Sequence, residues 1–135
     1  MIEEGLLDTS VVIALPTLTD ASQLPATPFI CTVTLAELSV GPLVARSDDE
    51  RAARQAVLQQ AEADFDPLPF DAAAARAFGR VAAALRQVKR KPQARSYDAM
   101  IAAVAVARAL PLHTANPDDF ADLLGLTVVA VTPHP

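Results

Sequence analysis

Gly5-Leu6-Leu7-Asp8-Thr9-Ser10-Val11-Val12 decides how this chain is read. Two leucines run into an acid, two hydroxyl residues follow, and Val11, Val12 and Ile13 restore the apolar run. That order predicts a buried strand over 5–8 opening into a short helix over 10–15 that stops near Pro16. A carboxylate in such a place costs stability unless something pairs with it. Asp8, Thr9 or Ser10 could serve simply as the helix N-cap, since a short side-chain oxygen accepts the orphan N–H groups of the first turn. Whether Asp8 does more depends on where the other acids go.

Outward from this stretch, residues 16–28 are rich in Pro with Thr, Ser and Asp, and read as a connecting loop. Phe29-Ile30-Cys31 reads as the second strand. A helix beginning at Thr32 or Thr34 runs through Val40 and is bent or interrupted at Gly41-Pro42. Asp48-Asp49-Glu50 opens a helix to about Asp64, its acids favourably placed at the N-terminus. Asp66-Pro67-Leu68-Pro69-Phe70 reads as a short extended piece at or outside a sheet edge. Asp71 caps a helix over 72–88, residues 89–95 form a basic loop, and Ser96 caps a helix over 97–110. That last helix is apolar nearly all round, which places it in the middle of the domain. Leu112-His113-Thr114 is a strand end, Asn116–Phe120 turns into a short helix, and Thr127–Val131 is the last strand. Strands separated by helices predict an α/β fold: a mostly parallel sheet between two helical layers, one domain over 1–135.

Bulk properties narrow the function. The chain has 135 residues, 52% of them hydrophobic, enough for a core without staples. Only 4% are aromatic and none is Trp, so no aromatic platform for stacked bases is expected. The single cysteine, Cys31, excludes an internal disulfide and a Cys-based zinc site, and reads as a small buried apolar residue. Glu3 and Glu4 stand where a signal peptide would be basic, and the low-charge stretch 99–107 is too short to span a membrane. A soluble cytoplasmic protein is the expectation. The net charge of −5 argues against holding nucleic acid by bulk electrostatics. Yet residues 1–71 carry twelve acids and three Lys/Arg, while residues 72–135 carry four acids and eight. Arg86, Lys89, Arg90, Lys91 and Arg95 form a cluster that suits phosphates, or simply a solvated helix end.

In an open parallel sheet, chemistry collects beyond the C-terminal ends of the strands. Asp8 lies at such an end. Glu37 follows the second strand, Asp98 lies in the first turn of the most buried helix, and Asn116, Asp118 and Asp119 follow Thr114. Each alone has a structural explanation as a cap or a solvated residue. Together they would repel one another in a cleft, and a hard divalent cation is the usual remedy. Oxygen ligands without cysteine select Mg²⁺ or Mn²⁺ over zinc. Such a centre suits phosphoryl transfer, one ion activating water and a second stabilising the leaving oxygen.

Four segments also resemble a known family. Leu6-Leu7-Asp8-Thr9-Ser10-Val11-Val12-Ile13, Thr34-Leu35-Ala36-Glu37-Leu38-Ser39-Val40-Gly41, Tyr97-Asp98-Ala99-Met100-Ile101 and Thr114-Ala115-Asn116-Pro117-Asp118-Asp119-Phe120 resemble, in order and spacing, the motifs of PIN-domain ribonucleases, and more narrowly VapC toxins of bacterial toxin–antitoxin pairs. The resemblance covers about residues 5 to 131. It implies a metal-dependent endoribonuclease, dimeric, and neutralised by a cognate VapB-type antitoxin that covers the active site. It carries the acidic roles onto Asp8, Glu37 and Asp98, with Asp8 and Asp98 first as metal ligands and Glu37 on a second ion or the water. Asn116 and Asp119 match the closing motif, with Asp118 an adjacent competitor. Thr9, Ser10 and Thr114 would support the carboxylates, and the basic cluster would hold flanking RNA phosphates. His113 reads as strand packing.

Two other acid-rich α/β families fit poorly. A haloacid-dehalogenase-type phosphatase needs an Asp two residues after the first, where this chain has Ser10. A receiver domain wants paired acids at the first strand end and a late Lys; Asp8 is followed by Thr9, and residues 96–135 contain no Lys. The alternative that remains is a PIN-like module that binds RNA or protein without cutting.

Overall fold

The computed structural model describes residues 2–87, 96–121, 123 and 125–133. Its sheet is built from β1 (Glu4–Leu7), β2 (Thr27–Phe29), β3 (Leu112–Thr114) and β4 (Val128–Ala130), in the spatial order β2-β1-β3-β4. All three pairings are parallel, with Leu6 opposite Phe29 and Leu112, Leu7 opposite His113, and His113 opposite Val129. Successive residues of a strand face opposite ways. Leu6, Phe29, Leu112 and Val128 therefore share one face, and Gly5, Leu7, His113 and Val129 the other.

Both faces are covered, giving the expected three layers. Leu6 and Leu112 pack in a core with Ala74, Ala77, Val81 and Leu85 of α4 (Ala72–Gln87) and with Ile101, Ala102 and Ala105 of α5 (Ser96–Arg108). Leu7 packs with Val11 and Val12 of α1 (Thr9–Ala14), Leu38 of α2 (Thr32–Leu43) and Ala61 of α3 (Asp48–Asp64). Leu6 and Leu7 are fully buried, each contributing roughly 1.5–3 kcal/mol. The buried face of α5 is mostly alanine, which lets the helix lie close to the strands.

Several element ends are set by local chemistry. Ser47 accepts the Glu50 N–H at the start of α3, and Asp71 accepts the Ala74 N–H at the start of α4. α5 ends at Ala109, whose φ of 54° is left-handed, while the Leu110 N–H returns to the Ala105 carbonyl at 2.9 Å. This is a Schellman stop with alanine where glycine is usual.

Two expectations need correction. The second strand is Thr27–Phe29, not 29–31. Pro28 is tolerated because β2 is an edge strand: the Thr27 N–H bonds to the Glu3 carbonyl, so the nitrogen of the next residue faces outward. Ile30 and Cys31 instead meet Leu68, through N–H···O bonds of 2.9 Å from Leu68 to Ile30 and from Thr32 to Leu68. The 66–70 piece thus does sit at the edge. Nor does Gly41-Pro42 interrupt α2, which continues to Leu43. A proline in the last turn forfeits only one helical hydrogen bond, and Pro42 is buried.

Helix direction positions the site. A link of only three residues joins α5 to the start of β3, so α5 runs back across the sheet and its first turn lies towards the C-terminal ends of the strands. Arg108 in its last turn stands 3.9 Å from Asp71 at the start of α4. The two helices are therefore antiparallel, and the last turn of α4, with Arg86, lies at the same edge as Asp98. The expected basic loop at 89–95 lies outside the described residues.

Gly5 faces the His113 ring so closely that a Cβ there would fall 2.4 Å from Cε1. Gly5→Ala should cost about 1–3 kcal/mol by overpacking, whereas Ala109→Gly should stabilise by about 1 kcal/mol by relieving the left-handed alanine. Urea unfolding of the two variants checks both signs.

Candidate active site

Asp8 follows β1 and is the N-cap of α1, with extended backbone and its Oδ1 accepting the Val11 N–H at 3.1 Å. The Ser10 hydroxyl donates to the same oxygen at 2.6 Å. Oδ2 accepts the Thr114 hydroxyl at 2.5 Å, across the β1–β3 pair. Both hydroxyls are held in turn: the Ala115 N–H donates to Ser10 Oγ and the Asn116 N–H to Thr114 Oγ1, each at 3.0 Å. Asp8 is thus both a helix cap and a buried carboxylate at a strand end. Asp8 is only 2% exposed, and its three hydrogen-bond donors are all neutral. A carboxylate so placed retains a strong field that a cation would answer.

Glu37 comes from α2, one turn past buried Thr34. Thr9, the first residue of α1, donates its hydroxyl to Glu37 Oε1 at 2.7 Å and lies 3.3 Å from Thr34 Oγ1. Asp98 is half-buried in the first turn of α5. After β3, the Asp119 N–H closes onto the Asn116 carbonyl at 3.0 Å, leaving Asp119 half-buried and Asn116 and Asp118 exposed.

Four separate segments thus bring acids to one edge of the sheet, but not into a finished cage. Among the described residues, no group of three or more Asp, Glu, His or Cys side chains is gathered closely enough to hold a metal ion. The donors are carboxylates and hydroxyls, the chemistry a hard divalent ion takes.

Arg86 is exposed at the end of α4. Lys89, Arg90, Lys91 and Arg95 lie outside the described residues, as does His134. His113 is buried in β3, 1% exposed, and its Nδ1 has no hydrogen-bond partner among the described residues. Burial holds its pKa below the ordinary 6.5, partly offset by the Pro111 carbonyl. It packs the sheet as expected. Thr34 was not among the residues singled out. Its signal was position alone: three residues before Glu37, it shares a helix face with it.

The sequence matches the PIN domain family over residues 5–124. It is 43% identical over 129 residues to Ribonuclease VapC5 of Mycobacterium tuberculosis (strain ATCC 25618 / H37Rv), covering 94% of this chain and 93% of that protein. The crystal structure of a member of the VapBC family of toxin–antitoxin systems, VapBC-5, from Mycobacterium tuberculosis, matches with a TM-score of 0.81 at 39% identity, covering 95% of this chain and 98% of that one. DNA-bound VapBC from Salmonella typhimurium shares the fold, with a TM-score of 0.72 at 24% identity over 95% of this chain and 97% of that one.

Thr114→Val removes the donor to Asp8 Oδ2 and should cost about 1–3 kcal/mol in urea unfolding, because a buried carboxylate oxygen loses its partner. His113 is held neutral by the fold, so an unfolded chain takes up the proton first as pH falls below 6.5. The stability it confers is present above that value and lost on acidification. Between about pH 7.5 and about pH 5.5, the wild type should therefore lose more unfolding free energy than His113→Gln.

Proposed function

Because this chain belongs to the PIN-domain family, we propose that it is a VapC-type ribonuclease toxin, an Mg²⁺- or Mn²⁺-dependent endoribonuclease. The observation that carries the reading is Asp8: a buried carboxylate at a strand end with only neutral hydrogen-bond donors, on the edge to which Glu37, Asp98 and Asp119 are also brought. Asp8 and Asp98 are the principal ligands. Glu37 binds a second ion or orients the attacking water. Asp119 completes the site with Asn116; its partial burial, against the exposure of Asp118, supports that choice. When bound, the metal supplies an activated water and charge neutralisation at the scissile phosphate.

The chain's own residues do the positioning. Thr114, Ser10 and the Val11 N–H hold Asp8, and Thr9 holds Glu37, so that the carboxylates are oriented before substrate arrives. Arg86, with Lys89, Arg90, Lys91 and Arg95, holds flanking phosphates of the RNA. With cations held by these carboxylates, a net-acidic chain would still carry positive charge where the phosphate sits. In this reading residues 1–135 are a single cytoplasmic ribonuclease domain, a homodimer whose active site is covered by a VapB-type antitoxin. Among the described residues no helix is long and apolar enough to cross a membrane.

The test is cleavage of an RNA pool by antitoxin-free protein. Mg²⁺ or Mn²⁺ should be required and a chelator should stop the reaction. Asp98→Asn should lower the rate by more than about a hundredfold, and Mn²⁺ should raise the melting temperature of the wild type but not of that variant. Metal-loaded wild-type protein that binds RNA and cuts none of it would mark a non-cleaving module instead.

A further inference from the structure

We infer that Thr34 is a positioning residue for Glu37, acting through the hydroxyl of Thr9; the inference rests on the ribonuclease reading of Glu37 given above. Thr34 is fully buried, and its Oγ1 lies 3.3 Å from Thr9 Oγ1, which lies 2.7 Å from Glu37 Oε1. Thr9 has one hydroxyl proton and two neighbours that could take it. An ionised carboxylate only accepts, and the shorter, charge-assisted bond is the stronger, so the proton goes to Glu37. The Thr9 oxygen then turns a lone pair towards Thr34, and Thr34 must be the donor.

Thr34 has little else to donate to. The usual outlet for a helical threonine is the carbonyl four residues back. Here that is Ile30, which precedes the Cys31 cap and lies outside the helix, so its carbonyl is not set in the usual place. The Cys31 thiol does hydrogen-bond the Thr34 side chain, but burial pushes its pKa up and a protonated thiol is a weak acceptor, so the Thr9 oxygen is the stronger one. The proton order is thus Thr34 to Thr9 to Glu37. Two of its members, Thr34 and Glu37, sit one turn apart on α2, and Thr9 reaches them from α1. The relay aims Oε1 inward. Oε2 has no partner among the described residues, and Glu37 borders a groove with Thr9, Ile13 and Arg54.

The test uses Thr34→Val, which keeps the shape and removes the hydroxyl, and Thr34→Ser, which keeps the hydroxyl. Thr34→Val should lower kcat for RNA cleavage by roughly tenfold to a hundredfold with KM unchanged, and Thr34→Ser should restore it. In a Thr9→Val background, Thr34→Val should lower kcat no further. In a crystal structure of Thr34→Val, Glu37 should leave the orientation that gives the 2.7 Å bond to Thr9. Thr34→Ala serves in both measurements if Thr34→Val does not fold. Wild-type cleavage by the hydroxyl-free variants overturns the inference. So does an active Thr34→Val beside an inactive Thr34→Ser, which would mean packing alone. A further full loss in the Thr9→Val background also overturns it. If wild-type protein cuts no RNA, the ribonuclease reading falls by itself, and the crystal structure still decides the relay: an unmoved Glu37 overturns it.

Discussion

A buried negative charge governs this molecule. Asp8 cannot be solvated where it stands, so the chain must surround it with donors, and it draws three of them from two elements. The first turn of α1 gives a backbone N–H, Ser10 a hydroxyl from the same turn, and Thr114 a hydroxyl from the neighbouring strand. Ser10 and Thr114 are themselves fixed by N–H groups of the 115–116 turn. The register of β1 against β3, the start of α1 and the path of the chain after β3 are thereby tied to a single carboxylate. Low dielectric makes each of these bonds stronger and their loss more costly.

The two sides of the sheet do different work around that centre. On one, α5 buries a run of Ala, Ile and Val, and its first turn, where Ser96 and Tyr97 are exposed, carries Asp98 to the C-terminal edge of the strands. On the other, α1 and α2 are joined by hydroxyl chemistry, Thr9 against Thr34 and Glu37. One acid is thus delivered by close packing, another by a hydrogen-bond chain. Charge divides along the sequence in the same sense: the acids crowd the first half, and the cations gather at the end of α4 and beyond.

Much of this was legible in the residues. The start of α3 follows from Asp48-Asp49-Glu50 and that of α4 from Asp71, because acids and caps at a helix N-terminus are local chemistry and need no knowledge of the rest of the fold. The all-apolar character of α5 placed it inside. Asp8 was readable as a cap and as a buried strand-end carboxylate, and it is both. What misled was shortness and context. A three-residue strand holds too little alternation to set its own frame, so the apolar Phe29-Ile30-Cys31 looked more strand-like than Thr27-Pro28-Phe29. Whether a proline is tolerated depends on which side of a strand faces a neighbour, and no local pattern records that. Thr34 was legible only as a helix start and as the opening of the second motif, for a related reason. A threonine inside a helix reads as a mild irregularity until Thr9, from 25 positions away, is seen to reach it. The gathering of the acids at one edge could be read; how far apart they stand could not.

The close approach of Gly5 and His113 has a consequence for descent. The glycine is required chiefly while the ring opposite is large, with Pro25 Cγ 3.2 Å from where a Cβ would stand adding to the crowding, and the ring has room only while the glycine stays bare. Neither position is free to drift alone. A lineage that replaced the histidine with something smaller would release the glycine, and the reverse order would pass through a strained intermediate. The two sites, more than a hundred residues apart, are in effect one heritable unit, and the sheet centre that precedes Asp8 can change only by paired steps.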